Sequence, residues 1–559
     1  MKEDIERVVL QSVESIGKKI NLTDLPREVE VDIPKRKEFG DFSINTAMVL
    51  ARKMGKNPRQ VAELIIENLP GEKDRLFRKV EIAGSGFINF FVREDAIVNK
   101  LADIARLGEA FGASSFGGGL NVLVEFVSAN PTGYLHMGHA RNAVVGDAVS
   151  NILSASGYRV TREFYINDAG RQMELLGESV FARYRELFGE AAEIPEDGYK
   201  GDYVKEIASE IKELIGGGLF IDPEWVSQYY CMEFARKKLL GFIRKDLEDI
   251  GVYFDEWYSE RENLHVSSGD DVVKGKLEKI KVRLAEKGAL EEKDGALWFS
   301  ATKYGDTQDW VLVKSDGSPT YFLADIAYHA DKFERGFESL INVWGADHHG
   351  HVSRLKAALR ALGFDDSRFN VVLIQFVRLM RKGEEVSMSK RAGSYVTMRD
   401  VVNEVGADVM RFFLLMRSSE SHLDFDLDLA RKESSENPVY YIQYAYARIR
   451  SLFRKADEEG AAESASSLRL LSQAEEVDLV KKLLLYPDIV EDSAESLAPH
   501  KIAYYLQDLA SDFHGYYNKF RIVDDDRALS GARLYLVRCV QTVLSNGLKL
   551  LGISAPERM

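Results

Sequence analysis

Apolar and polar residues recur along this chain with two periods, and the changes of period mark its elements. Ile5, Val8, Val9, Val13 and Ile16 keep helical spacing over residues 4–16, and Val29-Glu30-Val31-Asp32-Ile33-Pro34 alternates like a strand. The spacing predicts helices over 45–54 and 58–68, the second with Pro58 at its start, and two strands over 80–92 joined by a turn at Gly84-Ser85-Gly86. Phe116-Gly117-Gly118-Gly119 reads as a linker into a new unit. That unit opens with Val122-Leu123-Val124-Glu125-Phe126-Val127, an apolar run of the kind found in buried strands. Turn residues follow in Ser128-Ala129-Asn130-Pro131-Thr132-Gly133. A helical pattern then begins at His136, with Val145, Ala148, Val149 and Ile152 on one face and Gly157 as its stop.

A second strand over 160–166 leads into Asn167-Asp168-Ala169-Gly170, which is either a ligand-facing strand end or the cap of the next helix. Residues 173–293 are mostly charged amphipathic helix without concentrated chemistry, and read as an insertion between two halves of a sheet. Within it, Tyr229-Tyr230 and Trp257-Tyr258 read as core. The sheet is expected to resume at Leu297-Trp298-Phe299, followed by a hairpin over 311–322 that turns at Asp316-Gly317. Ile341-Asn342-Val343-Trp344 is an apolar strand that runs into Gly345-Ala346-Asp347-His348-His349-Gly350-His351. Residues 400–559 read as helical throughout. Val439, Ile442, Tyr446, Ile449 and Phe453 keep helical spacing, as do Leu536, Val540, Val543, Leu544 and Leu548, which suggests a bundle.

Composition narrows the class. A chain of 559 residues is too long for one core. No stretch reaches the ~20 apolar residues of a membrane helix, and the charged start MKEDIERVV is no signal peptide. Two cysteines, Cys231 and Cys539, far apart and without metal-type neighbours, argue against a disulfide or zinc framework and suit a reducing cytosol. The net charge of −15 argues against a nucleic-acid partner, although a large protein can grip a polyanion through one local patch.

Several constellations carry chemistry. His136 and His139 lie three apart, on one side of a helix's first turn, where free N–H groups and the dipole favour an anion. Gly138 between them would let a base or ribose approach the backbone. Taken alone, such a pair is a weak signal and more often the start of an ordinary helix. Tyr321 and Asp325 are four apart and share a face if a helix begins there, yet an Asp in a first turn is often only a dipole partner. Asp347, His348, His349 and His351 could ligate a metal, which would make the protein a metal-dependent phosphohydrolase. Arg378, Arg381, Lys382, Lys390 and Arg391 form a basic loop, solvated or phosphate-binding.

His136-Met137-Gly138-His139 resembles the HIGH signature of class I aminoacyl-tRNA synthetases. Ser387-Met388-Ser389-Lys390-Arg391 resembles their KMSKS loop, with Ser387 and Arg391 departing from the pattern and the phosphate-binding Lys390 present. Some members without that lysine carry another just before HIGH. Here Gly133 stands in that place, so the two features agree. Phe39-Gly40-Asp41-Phe42 and Gly84-Ser85-Gly86-Phe87-Ile88-Asn89 are similar to the N-terminal extra domain of arginyl-tRNA synthetases. Tyr441-Ile442-Gln443-Tyr444-Ala445-Tyr446-Ala447-Arg448-Ile449 and the terminus Gly552-Ile553-Ser554-Ala555-Pro556-Glu557-Arg558-Met559 are similar to their anticodon-binding bundle. Nearly the whole chain resembles the bacterial-type members of that family.

The resemblance implies an α/β multidomain fold: a Rossmann-like parallel-sheet catalytic domain with an insertion, an N-terminal α/β accessory domain and a C-terminal all-α bundle. The expected bounds are 1–115 for the accessory domain, 120–395 for the catalytic domain (insertion about 173–293), 396–434 for a connecting helical segment and 435–559 for the bundle. The resemblance implies that His136, Gly138, His139, Ser389 and Lys390 bind ATP, with His136, His139 and Lys390 acting in catalysis. A guanidinium carries five donors in a fixed fork and demands carboxylates or carbonyls. Glu125 and Asp325 would meet it, with Tyr321 as wall, Ser128 and Asn130 at the substrate's ammonium and carboxylate end, and His348 near the place of the family's glutamine. Tyr441, Tyr444 and Arg448 would contact tRNA by stacking. Expected partners are tRNA(Arg), L-arginine and ATP with Mg2+, the chain acting as a cytoplasmic monomer without membrane contact or a protein-bound transition metal, and activating arginine only with tRNA bound. A non-catalytic RNA-binding descendant is the other alternative; it would be expected to have lost His136, His139 or Lys390, all of which are present.

Overall fold

The computed structural model describes residues 1–34, 36–265, 275–386 and 396–559. At its centre lies a five-stranded sheet in which every neighbouring pair is parallel. The order across it is Phe369–Ile374, Ser339–Gly345, Asn121–Glu125, Arg159–Ile166, Glu256–Ser259. The chain therefore grows outward from Asn121–Glu125 in both directions, and the switch point falls between that strand and Ser339–Gly345. Open parallel sheets bind ligands beyond the carboxyl ends of their strands at such a point.

Side chains alternate across each strand. Val122 and Val124 join the core under the Met137–Ala155 helix, whereas Leu123 joins the core under Tyr321–Glu334 and His349–Leu362. The Met137–Ala155 helix is buried on nearly every side, not only on its Val145, Ala148, Val149 and Ile152 stripe. Helices Ala407–Leu415, Tyr486–Glu495 and Arg527–Leu550 pack against it. Gly146 permits its close crossing of the sheet, since a Cβ there would stand 2.2 Å from Phe126 Cγ.

The N-terminal unit is a four-stranded antiparallel sheet with helices Lys2–Ile20, Thr46–Met54 and Pro58–Glu67. It docks on the C-terminal bundle through Lys481 Nζ to Asp41 (2.6 Å) and Asn546 Nδ2 to the carbonyls of Gly108 and Phe111 (both 3.0 Å). The glycine run before the catalytic unit is pinned, not free: Gly117 and Gly119 donate to the carbonyls of Ser156 and Gly157. No helix among the described residues is long and apolar enough to cross a membrane.

Several elements differ from expectation. Glu256–Ser259 falls inside the expected insertion yet forms the edge strand of the parallel sheet. Ala296–Phe299 does not resume that sheet; it is the middle strand of a separate antiparallel one, between Leu290–Lys293 and Trp310–Val313. The turn at Asp316-Gly317 is present, but its return limb shrinks to a single Val313–Pro319 bridge before the helix starts at Tyr321. Residues 400–559 are not wholly helical, because Leu423–Asp426 pairs in parallel with Val377–Arg381. Tyr258 is buried, but Tyr229 is 55% exposed and belongs to no core.

Candidate active site

The turn after Asn121–Glu125 is held in an unusual backbone shape. Val127 has φ +66° and Ser128 φ +41°. A β-branched residue at positive φ is strained, and such strain persists only where the surroundings impose it. Here Asn142, on the Met137–Ala155 helix, accepts from the Val127 N–H at 2.6 Å and donates to the Val343 carbonyl at 2.8 Å. One amide thus spans the switch point. Beyond the turn, Asn130 Nδ2 reaches Gln172 Oε1 (2.6 Å), and the Tyr203 hydroxyl from the insertion donates to the Thr132 carbonyl (2.6 Å).

His136 is the N-cap of the Met137–Ala155 helix, and its Nδ1 accepts the Gly138 N–H at 3.1 Å. His139 Nδ1 accepts the His136 N–H at 3.3 Å, and the two rings stack with centroids 3.8 Å apart. Both Nδ1 atoms act as acceptors, so each neutral ring carries its proton on Nε2, a donor suited to phosphate oxygens. Gly138 leaves room for the stack, because a Cβ would press on the His136 ring, 3.0 Å from Cε1. Ser389 and Lys390 lie outside the described residues. Their segment leaves from the strand Glu384–Val386 and is followed by Met398, whose N–H donates to the Leu135 carbonyl beside His136 at 2.8 Å.

The other end of the cleft is acidic. Glu125 is buried; its Oε1 accepts from Ser128 Oγ (2.9 Å), and its Oε2 accepts from Lys332 Nζ (2.5 Å) and Asn342 Nδ2 (2.6 Å). Asp325, one turn into the Tyr321–Glu334 helix, meets His351 Nε2 at 2.8 Å. Tyr165 feels both: its hydroxyl is pushed well above its ordinary pKa by burial and then by Glu260, Asp325 and Glu125. Tyr321 is 58% exposed on the helix that carries Asp325. Side chains Asp347 and His348 are more than half exposed, and His351 turns away from them onto Asp325. Among the described residues no group of three or more His, Cys, Asp or Glu side chains is arranged to hold a metal ion.

Three family models match the chain in tandem: the arginyl tRNA synthetase N terminal domain over 3–92, the catalytic domain of class I (R) tRNA synthetases over 114–414, and the DALR anticodon binding domain over 442–559. The arginine–tRNA ligase of Syntrophotalea carbinolica is 49% identical over 535 residues, covering 95% of either chain. That of Geobacter sp. strain M21 is 47% identical, with both chains covered completely. The chain belongs to the arginyl-tRNA synthetases. In fold it is also similar to the Thermus thermophilus arginyl-tRNA synthetase, with a TM-score of 0.74 at 23% identity and complete coverage of both chains.

Two parts of the synthetase's site escaped sequence reasoning. Arg141, two residues past His139, is fully buried, and its guanidinium donates at 2.8 Å to each of the Gln375, Ser421 and Ser418 carbonyls. It ties the signature helix to the segments that lead into the paired strands Val377–Arg381 and Leu423–Asp426. Asp168 neither faces a ligand nor caps the helix after it. Its buried carboxylate accepts from Ser259 Oγ and the Arg261 N–H and pairs with Arg236, which fixes the edge strand. In the bundle, Arg448 lies 4.6 Å over the Tyr444 ring and donates to His514 Nδ1 at 3.1 Å, and Tyr441 packs on His514. Tyr444 is the exposed member of this group.

Proposed function

We propose that arginine is activated in the cleft at the switch point and then passed to the 3′-terminal ribose of tRNA. In the first step the arginine carboxylate attacks the α-phosphorus of ATP, forming arginyl-adenylate and releasing pyrophosphate. Mg2+ enters with ATP as part of the substrate. In the second step a ribose hydroxyl attacks the mixed anhydride, giving arginyl-tRNA and AMP. The first step needs no strong acid or base, only in-line positioning and donors where negative charge grows. His136, His139, the helix N-terminus behind Gly138, Ser389 and Lys390 supply those donors. Glu125 and Asp325 take the guanidinium, Tyr321 forms a wall, Ser128 and Asn130 hold the ammonium and carboxylate end, and His348 stands at the rim. Tyr441, Tyr444 and Arg448 meet tRNA(Arg), with the enzyme acting as a cytoplasmic monomer.

The observation that carries this reading is the placing of stacked imidazoles and two carboxylates around one switch point. The test is Lys390→Ala in rapid-quench single turnovers with tRNA present. The rate of adenylate formation should fall by roughly 100-fold or more, with arginine affinity kept within about threefold. An unchanged rate would remove Lys390 from its assigned role.

A further inference from the structure

Four parallel strands align a row of polar side chains. Asn342, Glu125, Glu163 and Glu256 are successive register partners across the sheet. Neighbouring strands lie about 4.8 Å apart, so the three carboxylates would repel one another unless compensated. The compensation comes from one covering helix, Tyr321–Glu334, and the residue that ends it. Lys332 Nζ meets Glu125 Oε2, Arg335 meets Glu163 at 2.6 Å and Glu256 at 2.7 Å, and the Tyr328 hydroxyl donates to Glu163 at 2.6 Å.

Lys332 is wholly buried, and its ammonium has three partners: Glu125 Oε2, Asn342 Oδ1 at 3.3 Å and the face of Tyr328 at 4.1 Å. Asn342 Nδ2 donates to Glu125 and also to His329 Nε2 at 2.9 Å. His329 Nδ1 donates to the Asp325 carbonyl at 2.8 Å, which fixes the tautomer. Burial, and then Lys332, hold the His329 pKa well below its ordinary value, so the ring is neutral. An unbroken chain of hydrogen bonds thus runs from the Asp325 backbone through His329 and Asn342 to Glu125 and Lys332.

We infer that Lys332 is a positioning residue for arginine: it locks the Glu125 carboxylate by saturating Oε2, and leaves Oε1, on the Ser128 side, to receive a substrate N–H. The inference rests on the assignment of Glu125 to the arginine pocket. It also divides the labour between the two acids. Lys332 cancels the charge of Glu125, so Asp325 is the counter-ion of the guanidinium and Glu125 its oriented acceptor.

The test uses the full chain with tRNA in pyrophosphate exchange, comparing Lys332→Met, Glu125→Gln and the double variant. Lys332→Met should raise KM for arginine roughly 100-fold, with kcat and KM for ATP within about threefold. Glu125→Gln should raise KM for arginine as well. The double variant should be no worse than the poorer single one, since both remove one interaction. If Glu125→Gln leaves KM for arginine unchanged, the pocket assignment itself fails. If it raises KM but folded Lys332→Met does not, or if the two effects simply add, the positioning role alone is overturned. Equal losses in kcat and both KM values would likewise mean general damage and overturn it. Should Lys332→Met not fold, Asn342→Ser removes the second donor to Oε2 without changing charge. An arginine KM raised about tenfold at constant kcat then supports the role, and an unchanged KM refutes it.

Discussion

Replacing Arg141 with Met removes three bonds from a charged donor to the carbonyls of Gln375, Ser418 and Ser421, each at 2.8 Å. Burial lowers the guanidinium to about 10, which still leaves it cationic at neutral pH. Bonds to a charged group contribute about 1.5–3 kcal/mol each. Water can reach parts of the 416–422 loop once it opens, so the lower end applies, and the junction should lose about 4.5 kcal/mol. The enzyme has several domains, so this loss should appear as local opening rather than as one unfolding transition. The amides of Gln375 and Leu423 bond across the same junction, to the carbonyls of Ser419 and Phe376, and report on it. Their hydrogen exchange should speed up by about 2,000-fold, the equivalent of about 4.5 kcal/mol. Val377–Arg381 begins two residues after Gln375 and pairs with Glu384–Val386, from which the Lys390 segment leaves. A displacement of about 1 Å there should cost adenylate formation roughly 100-fold, with arginine affinity nearly kept. Hydrogen-exchange mass spectrometry and single-turnover activation measure the two effects. Wild-type protection of both amides together with wild-type activation would show that Arg141 does not hold this junction.

Other outcomes follow from the same geometry. Asp325→Asn removes the counter-ion assigned to the guanidinium, and KM for arginine should rise about 30–1000-fold, or about 2–4 kcal/mol; an unchanged KM in steady-state exchange would remove Asp325 from the pocket. Gly138→Ala puts a Cβ 3.0 Å from the His136 ring, and the displaced stack should slow activation about tenfold without changing arginine affinity in a binding titration. Burial lowers the His514 pKa below 6.5, so the folded bundle binds fewer protons than the unfolded chain. Its contribution is present above pH 6.5 and is lost as pH falls toward the folded value, so the thermal midpoint should drop between pH 7 and 5.5, and less steeply in His514→Gln.

Strong local patterns made much of this molecule readable in its sequence. The apolar run over 122–127, whose strand is Asn121–Glu125, the turn after it and the helix from His136 show a change of period, turn residues and a pair of histidines three residues apart. Glu256–Ser259 and Leu423–Asp426 were hidden because each is four residues long and lies between helices. A strand that short leaves almost no periodic signal, and its pairing partner decides its state. Ala296–Phe299 looked like a sheet strand and is one, but local pattern does not name the sheet it joins. Within the proposed site, the sequence offers Glu125 and Asp325 as candidates but says nothing of their surroundings. The ammonium that compensates Glu125 comes from a residue 207 positions away, and Arg141 meets carbonyls more than 230 positions downstream. Such pairings come from tertiary packing, on which neither period nor composition reports. Tyr229 shows the converse: an aromatic in a helical stripe stays exposed because, among the described residues, no element packs over it.

Arginine activation in this cleft, for transfer to tRNA, underlies the predictions of activity above. The most direct measurement is ATP–pyrophosphate exchange with each of the twenty amino acids, with and without tRNA. Exchange with arginine alone, appearing when tRNA is added, is the expected result. Exchange driven by another amino acid would contradict the Glu125 and Asp325 pocket, and no exchange from folded enzyme with cognate tRNA would contradict the account as a whole.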